Sequence, residues 1–309
     1  MQVNSNQFIT KNFLVRFKPN IMLKIDTLHN VTFDEIAATF NAAFSDYFLP
    51  IVFTKEQLED KFINEGGRLD LSVGVFEDNK LVAFILHFST VANGGIVVYN
   101  GGTGVTPNYR GNHLTLKMYA FIMPKLLANK VDKTVLEVLT INLPAIKIYQ
   151  NQGFSIVREL NCFKGKLSEI KQKEAIRNYE VVKLKELDWK ILQSFWDYPP
   201  TWQNSIPVMD KLLAQNMCLG ITQNDTIRGY VIYNPKIRRI HHLAVDKNFR
   251  NRGLGSHLLN AIFKIEKEEI SFLNIDSRNK VFTSLLEKMG FNNYTNQYEM
   301  ELKLNHNYR

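Results

Sequence analysis

Two stretches of the chain place apolar, β-prone residues on both sides of a short polar turn. The first covers residues 73–86, where the turn is Asp78-Asn79, and the second covers residues 219–232. Apolar runs of this length around an Asp- or Asn-bearing turn are typical of antiparallel strand pairs. The pattern therefore predicts one β-hairpin in each half of the chain.

The two hairpins belong to a longer internal repeat. The offset between matching positions falls from 146 in the hairpins, through 140 at Arg110 and Arg250, to 137 at Gly153 and Gly290. A period this long with a slowly drifting offset indicates two copies of a whole domain whose loops differ in length. A solenoid of short repeats is excluded.

The sequence pattern predicts the same order of elements in each half of the chain, beginning with a strand and ending with a short helix. Apolar residues at helical spacing predict a helix over residues 33–44, and Pro124 is expected to kink a later one. Antiparallel strands followed by a helical crossover give a mixed, mostly antiparallel sheet flanked by helices, an α/β fold. The other predicted elements are strands at 21–25, 95–105, 134–139, 179–184, 239–245 and 271–275 and helices at 114–129, 189–196 and 254–269.

The repeat divides the 309 residues into two tandem domains, in keeping with about 150 residues for each. We expect the domains at residues 22–165 and 179–309, joined by the polar, charged segment 166–178 as a linker. Residues 1–21 have no counterpart in the second half and are expected to be an N-terminal extension.

The charge balance is basic, with 38 Lys and Arg against 30 Asp and Glu, a net charge of +8. A basic surface favours anionic partners such as a phosphorylated small molecule, an anionic membrane or a nucleic acid. No run of five or six like charges occurs, which disfavours a nucleic-acid-binding arm. No apolar run approaches the roughly 20 residues that would span a bilayer, and no secretory signal is evident.

The chain contains two cysteines, Cys162 and Cys218. Two are too few for a disulfide framework or a zinc cluster, so no metal site is expected. Free cysteines usually behave as small buried hydrophobes. We expect both to be buried in a protein of the reducing cytoplasm.

The strongest candidate for chemistry is the motif Arg250-Asn251-Arg252-Gly253-Leu254-Gly255. It follows a predicted strand that ends at Val245 and opens an amphipathic helix. The first turn of a helix has unpaired N–H groups and a partial positive charge, and glycines let that backbone approach a phosphate closely. The motif therefore predicts a pyrophosphate site, although neither the dinucleotide fingerprint nor the Walker pattern fits.

This motif after a strand ending in Val, together with an Asn eleven residues before a Gly-Phe pair, resembles the GNAT superfamily of N-acyltransferases. The resemblance covers nearly all of the chain after Met22. It implies two GNAT-like domains, acetyl-CoA or another acyl-CoA as the donor, an amine as the acceptor, and no metal. It also implies that the pyrophosphate binds the amides of residues 250–255, and that the pantetheine arm lies along Leu243, Ala244 and Val245 where two parallel strands splay apart. Asn279 would contact the end of that arm.

The first half matches the same family differently. Arg110 and Gly111 are kept, but His113 and Thr115 stand where glycines are usual. The resemblance implies weaker cofactor contacts there, made by Val105, Arg110, Gly111 and Asn142. Tyr149, four residues before Gly153, stands where the family places a general acid, whereas the second half has Leu286. One half thus retains the phosphate loop and the other the acid.

The implied reaction is attack of a neutral amine on a thioester carbonyl. Backbone N–H groups near Val105 or Val245 could stabilise the oxyanion, and a tyrosine hydroxyl could protonate the departing thiolate. Candidate bases are Glu137, His241 and His242, with no preference among them. Strand alternation places His241 on one face of its strand and His242 on the other.

Two residue sets have both a functional and a structural interpretation. Tyr149 is either the acid or an ordinary core aromatic. The aromatic-rich stretches 43–50 and 195–202 either line an acceptor pocket, where they could hold an amine by cation–π contact, or pack helices against the sheet.

We expect a cytoplasmic N-acetyltransferase acting on a small-molecule or peptide amine. It would have no membrane partner, a monomeric (pseudo-dimeric) or homodimeric state, and no role with nucleic acid. The alternative is a non-catalytic CoA-binding or interaction module in which one or both halves are degenerate.

Overall fold

The structure is a computed structural model that describes residues 13–17, 21–92, 94–166 and 178–304. The expected linker, apart from its two end residues, and most of the expected extension lie outside them. The chain forms two compact units. The first contains residues up to 136, residues 148–154 and residues from 302 onward; the second contains residues 137–147 and 155–301.

The first unit is built on strands in the order β1-β2-β3-β4-β5-β6, and neighbours are antiparallel except β5 and β6, which are parallel. The last three residues of β6 and the first half of α4 are assigned to the second unit. The strands are β1 (Phe13–Phe17), β2 (Ile21–Thr27), β3 (Val73–Glu77), β4 (Lys80–Ala92), β5 (Gly95–Val105) and β6 (Val131–Leu139), and the helices are α1 (Phe33–Ala43), α2 (Lys55–Glu65), α3 (Leu114–Ala128) and α4 (Leu143–Asn151).

Local sequence explains several boundaries in the first unit. Asp78 and Asn79 have φ values of 47° and 66°, the left-handed pair that a two-residue hairpin turn requires, so the predicted hairpin is confirmed. Thr32 caps α1 by accepting a hydrogen bond from the Glu35 amide. Helix α3, in which a kink at Pro124 is predicted, continues past Pro124 to Ala128.

The second unit has its strands in the order β13-β7-β12-β11-β10-β9-β8. Among the described strands of this unit, β11 and β12 pair in parallel and the other neighbours pair antiparallel. The strands are β7 (Ser155–Lys166), β8 (Glu180–Lys183), β9 (Met217–Gln223), β10 (Thr226–Asn234), β11 (Arg239–Val245), β12 (Glu269–Asp276) and β13 (Asn292–Lys303), and the helices are α5 (Trp189–Leu192), α6 (Ile206–Lys211), α7 (Leu254–Phe263) and α8 (Lys280–Lys288).

The compact units and the two sequence repeats do not coincide at strand β7. By sequence it closes the first repeat, but it lies between β12 and β13 in the sheet of the second unit. The compact units therefore divide the chain differently from the repeat. The expected fold class, mixed and mostly antiparallel sheet with flanking helices, is confirmed in both units.

Two predicted helices are shorter than the sequence pattern indicates. The helix expected at 189–196 is one α-turn, α5, followed by a 3₁₀ turn at Gln193–Phe195. The helix expected to reach residue 269 ends at Phe263, whose carbonyl accepts a hydrogen bond from Lys267 Nζ at 2.6 Å. Because β12 begins at Glu269, residues 264–268 form a connection instead of a helix.

The structure also bears on the cysteines, on membrane-spanning helices and on clusters of metal-ligating residues. Both cysteines are buried free thiols, as expected. Among the described helices, none combines the length and apolar character needed to cross a bilayer. Within the described ranges, no three His, Cys, Asp or Glu side chains are grouped so as to hold a metal ion.

Candidate active site

The parallel strands β11 and β12 pair over only two positions. Arg239 is opposite Ser271 and Ile240 is opposite Phe272; beyond these pairs the two strands no longer form a ladder. Both continue toward a cavity of about 850 Å³ that lies within the second unit. The unpaired ends of β11 and β12 form part of its wall, so strand edges with free hydrogen-bonding groups face the cavity.

The N-terminus of α7 forms another part of the wall. Gly253, the N-cap residue, has φ 89°, and Asn251 has φ 61°. The first helical hydrogen bond runs from the His257 amide to the Gly253 carbonyl, so the amides of residues 254–256 precede it. Glycine at position 253 supplies the left-handed conformation that starts the helix at this point.

Most residues predicted to bind the cofactor line this one cavity. Those on its wall are Leu243, Ala244, Val245, Arg250, Asn251, Gly253, Leu254, Gly255 and Asn279. Arg252 is absent from the lining; its guanidinium stacks on Phe249 at 4.8 Å and donates to the Asn248 carbonyl. The structure thus brings the strand edge, the glycine loop and Asn279 together.

Arg250 ties the loop to its surroundings. Its guanidinium donates to the Val245 carbonyl at 3.2 Å and to the Phe195 carbonyl at 2.8 Å, and it pairs with Asp197 at 2.9 Å. With these donors used inside the protein, Arg250 supports the loop backbone.

Asn279 caps α8. Its Oδ1 accepts a hydrogen bond from the Phe282 amide at 3.3 Å, which leaves the Nδ2 group for other partners. Lys280 and Lys288, on the same helix, also line the cavity. The lining acids are Asp197, paired with Arg250, and Asp276, paired with Arg158 and Arg278. The unpaired excess of charge around the cavity is positive and suits an anionic ligand.

The aromatic stretch at 195–202 agrees in part with each of its two interpretations, pocket lining and core packing. Residues 195–200 line the cavity, and the Trp196 indole donates to the Tyr230 hydroxyl at 2.6 Å. Phe195 and Trp202, however, are buried. Part of the stretch therefore faces the cavity and part belongs to the core.

The two adjacent histidines do not alternate as predicted. A β-bulge in β11 places His242 opposite Ile232 and Ile240 opposite Tyr233, which leaves His241 as the extra residue. Both imidazoles contact Asn204, so the expected placement on opposite faces is wrong. Burial lowers the pKa of His241 to about 3 and that of His242 to about 4, so both rings are neutral near pH 7.

The loop of the first unit has the same backbone form. Gly111 has φ 77° and His113 has φ 56°, matching the signs at Asn251 and Gly253. His113 therefore holds a left-handed conformation that glycine holds in the second unit. The pairing of β5 with β6 ends at Asn100, before Val105.

Arg110 repeats the contacts of Arg250. It donates to the Val105 carbonyl at 3.2 Å and the Ala43 carbonyl at 3.0 Å, and it pairs with Asp46 at 2.6 Å. The duplicated arginine thus has the same supporting role in each unit.

Tyr149 lies in the interior of the first unit. Its ring packs edge-on against Tyr119 and Phe154. Burial raises the pKa of Tyr149 to about 12, which keeps the phenol protonated. Leu286, its counterpart, is fully buried in the core of the second unit.

Two predicted site residues from the first half of the sequence, Asn142 and Glu137, belong to the second compact unit. Asn142 caps α4 by accepting from the Ala145 amide at 3.3 Å, the same contact that Asn279 makes at α8. Glu137, a candidate base, is half-buried near the end of β6.

Sequence reasoning missed four contributing residues. Asp46 and Asp197 anchor the duplicated arginines; the shared Phe-x-Asp-Tyr pattern at these positions was the available signal. Asn204 contacts both histidines, and Arg158 donates to the Pro199 carbonyl at 2.7 Å. Neither residue has a sequence signal, because each acts through contacts far along the chain.

Comparison with known proteins agrees with this arrangement. A model of the Acetyltransferase (GNAT) family matches residues 33–154 and again residues 182–291. No curated protein matches the chain.

Two solved structures are similar over nearly their whole length. One is a tandem GNAT protein from the clavulanic acid biosynthesis pathway, 10% identical, with a TM-score of 0.69 over 91% of this chain and 98% of that one. The other is a GCN5-related N-acetyltransferase from Sphaerobacter thermophilus, 13% identical, with a TM-score of 0.67 over 91% and 95%. At these identities the similarity shows a shared fold.

Proposed function

The chain belongs to the Acetyltransferase (GNAT) family, and from that premise we propose that it is an N-acetyltransferase whose donor, acetyl-CoA, binds in the second unit. Membership supports acyl transfer in general. One observation carries the finer proposal: the splayed strands β11 and β12 and the N-terminus of α7 face the same cavity. Each feature suits a different part of an acyl-CoA.

The residues present fit that donor. The free edge at Leu243–Val245 can pair with the amide groups of the pantetheine arm, as a strand does. The amides of residues 251–255 and the partial positive charge of the helix start can hold the pyrophosphate. Arg250 fixes the loop through Val245 and Phe195, and Asn279 retains a side-chain donor toward the arm.

The same strand edge can assist the chemistry. When an amine nitrogen bonds to the thioester carbonyl, negative charge develops on the oxygen. A backbone N–H near Val245 can stabilise that charge by about 3 kcal/mol. The carbon–sulfur bond then breaks, the amine nitrogen gives up one proton to solvent, and the thiolate takes one. Because the second unit has Leu286 where the first has Tyr149, no tyrosine at that position supplies the proton, and transfer there relies on positioning and on solvent.

The first unit supports a second candidate role. Its loop repeats the backbone form of the donor loop, and Val105, Arg110 and Gly111 remain proposed cofactor contacts, with Tyr149 as the acid. Asn142, the fourth predicted contact, is assigned to the second unit. Since His113 brings a ring to the position of Gly253, we propose weaker binding there. If neither unit transfers an acyl group, the chain is a CoA-binding or interaction module.

The acceptor is proposed to be a small-molecule or peptide amine, held at the aromatic wall of residues 195–200. The two free thiols fit a reducing compartment, so we propose the cytoplasm. A monomer with two units or a homodimer both agree with the proposal.

Titration of CoA into the full-length protein, followed by an acetyl-transfer assay on a panel of amines, tests the proposal. Gly253→Val and Gly111→Val form a matched pair because both glycines have positive φ, 89° and 77°. We expect Gly253→Val to abolish the tighter CoA binding, which is proposed for the second unit, and Gly111→Val to leave it nearly intact. Binding without transfer to any amine would favour the module, and no binding by the wild-type protein would refute donor use altogether.

A further inference from the structure

Asn204 bridges the two splayed strands. It ends the 3₁₀ turn Trp202–Asn204, is buried, and lines the cavity. Its Nδ2 lies 3.3 Å from the Leu273 carbonyl on β12, and its Oδ1 lies 3.0 Å from His241 Nδ1 on β11. These residues come directly after the last paired positions, Ile240 and Phe272. A single amide therefore spans the gap where the ladder stops.

The chemistry of the contacts assigns the protons. The Leu273 carbonyl can only accept, so the Asn204 group that faces it is the NH₂ and the group that faces His241 is the oxygen. His241 Nδ1 must then donate and carries the proton. Since burial keeps His241 neutral, with a pKa lowered to about 3, its Nε2 is an unprotonated acceptor.

His242 has the opposite tautomer for a similar reason. Its Nε2 lies 2.7 Å from the Asn204 backbone carbonyl, which can only accept, so Nε2 carries the proton. Its Nδ1 accepts from the Tyr230 hydroxyl at 2.9 Å, and that hydroxyl accepts from the Trp196 indole. Both ring nitrogens of His242, the Tyr230 hydroxyl and the Trp196 indole therefore have hydrogen-bond partners.

His241 Nε2 differs, since it is buried and has no hydrogen-bond partner among the described residues. A buried acceptor without a donor is unfavourable, and a bound ligand commonly provides the missing partner. The residue lies on the cavity wall between the splayed strands. An N–H group of a substrate bound there would satisfy it.

We propose that Asn204 is a positioning residue that holds β11 and β12 apart at the donor site and presents the unprotonated Nε2 of His241 to an N–H group of the bound substrate. The inference rests on the proposed use of this cavity for acyl transfer. The N–H group belongs either to the pantetheine arm or to the acceptor amine. In His241→Gln, a raised KM for acetyl-CoA identifies the arm, a raised KM for the amine identifies the acceptor, and an unchanged KM for both refutes that contact.

Nitrogen-15 NMR of the histidine rings in the full-length protein tests the assignment without any activity. We expect Nδ1–H for His241 and Nε2–H for His242, with peaks assigned from His241→Gln and His242→Gln. In Asn204→Ala, His241 should become a mixture of tautomers. His242 should not change, because a backbone carbonyl holds it, and it reports that the site remains folded. An Nε2–H tautomer of His241 in the wild type, or no change in Asn204→Ala, would overturn the proposal.

Asn204→Asp tests the bridge to β12. The variant keeps the oxygen that faces His241 and replaces the NH₂ that faces Leu273 with a second oxygen. We expect KM for acetyl-CoA to rise about tenfold, equivalent to about 1.4 kcal/mol, with a smaller change in kcat. Asn234→Asp is the control, since Asn234 is equally buried, accepts from the Lys236 amide through its Oδ1, and lies outside the cavity lining.

An unchanged KM in Asn204→Asp would refute the bridge. If the wild-type protein neither binds CoA nor transfers acetyl, the proposed function fails instead. The histidine tautomers measured by NMR still decide whether Asn204 determines the protonation of His241 and His242.

Discussion

Arg250 and Asp197 join the start of α7 to the segment after α5 through an ion pair of 2.9 Å. The same guanidinium donates to the carbonyls of Val245 and Phe195. One side chain thus connects the last residue of β11, the glycine loop and the aromatic wall. A loop whose amides are to bind an anion must be held before the ligand arrives, and Arg250 provides that hold.

Replacing Arg250 with Ala should weaken donor binding. Removal of the hydrogen bonds leaves two carbonyls without this donor and frees the loop. We expect the affinity for CoA, measured by calorimetry, to fall about tenfold and the free energy of unfolding to fall by about 1–2 kcal/mol.

Arg110→Ala is the matched control, because Arg110 makes the same three kinds of contact in the first unit. We expect a similar loss of stability with little change in CoA affinity. An equal loss of affinity in both variants would contradict donor binding in the second unit alone.

Gly255→Ala should separate stability from binding. A Cβ at this position would lie 3.7 Å from Leu285 and 3.8 Å from Val245, ordinary contact distances, so the free protein can accept it. Alanine is favoured over glycine in a helix by up to about 1 kcal/mol. The added methyl would nevertheless stand beside the amides proposed to hold pyrophosphate.

We therefore expect a higher melting temperature and a weaker affinity for CoA in Gly255→Ala. Thr115→Ala changes the corresponding residue of the first-unit loop and serves as the control; it should leave CoA affinity unchanged. A Gly255→Ala protein that binds CoA like the wild type would show that the ligand does not approach this backbone closely.

The hairpins, the repeat and the glycine loop were predictable because each depends on neighbouring residues. The turn at Asp78-Asn79 and the left-handed start of α7 at Gly253 follow from local preferences. The bulge at His241 was not predictable, since strict alternation assumes an uninterrupted strand. The contacts of Asn204 were equally hidden, because its three hydrogen-bond partners on β11 and β12 lie 37, 38 and 69 residues away.

Strand β7 shows the same limit at the level of the fold. Its sequence belongs to the first repeat, yet its partners are β12 and β13, more than 100 residues later. A period-two pattern indicates that a strand forms but not which strand it joins. The division into compact units therefore required the structure.

Tyr149→Phe distinguishes the two units as the place of catalysis. A general acid contributes about a hundredfold or more to the rate, whereas a buried hydroxyl that only bonds within the protein contributes about 1 kcal/mol to stability. Tyr149 is buried, and burial raises its pKa to about 12. We expect a lower melting temperature and a kcat close to that of the wild type, because transfer is proposed in the second unit.

A hundredfold loss of kcat in Tyr149→Phe would instead assign the reaction to the first unit. Leu286→Met, a substitution of similar volume at the corresponding buried position, is the control for packing and should leave both kcat and KM nearly unchanged.

Buried histidines should make the protein less stable in mild acid. The pKa of His241 is lowered to about 3 and that of His242 to about 4, from an ordinary value of 6.5, by burial. Below pH 6.5 the unfolded chain therefore binds protons that the folded chain does not, so stability falls as the pH falls. The slope is at most about 1.4 kcal/mol per pH unit for each such residue. Urea denaturation at several pH values measures it.

The interval from pH 7 to 5.5 is the most informative, because most carboxylates titrate below it. His242→Gln removes the protonation of one histidine and leaves a side-chain donor for the Asn204 carbonyl. We expect the slope of the unfolding free energy against pH to fall in that variant by up to the contribution of one proton, about 1.4 kcal/mol per pH unit. An equal slope in the wild type and His242→Gln would mean that His242 is protonated in the folded protein. Nδ1 of a charged His242 would donate to the Tyr230 hydroxyl, so that hydroxyl could no longer donate to the ring, and the neutral Nε2–H tautomer of His242 would be wrong.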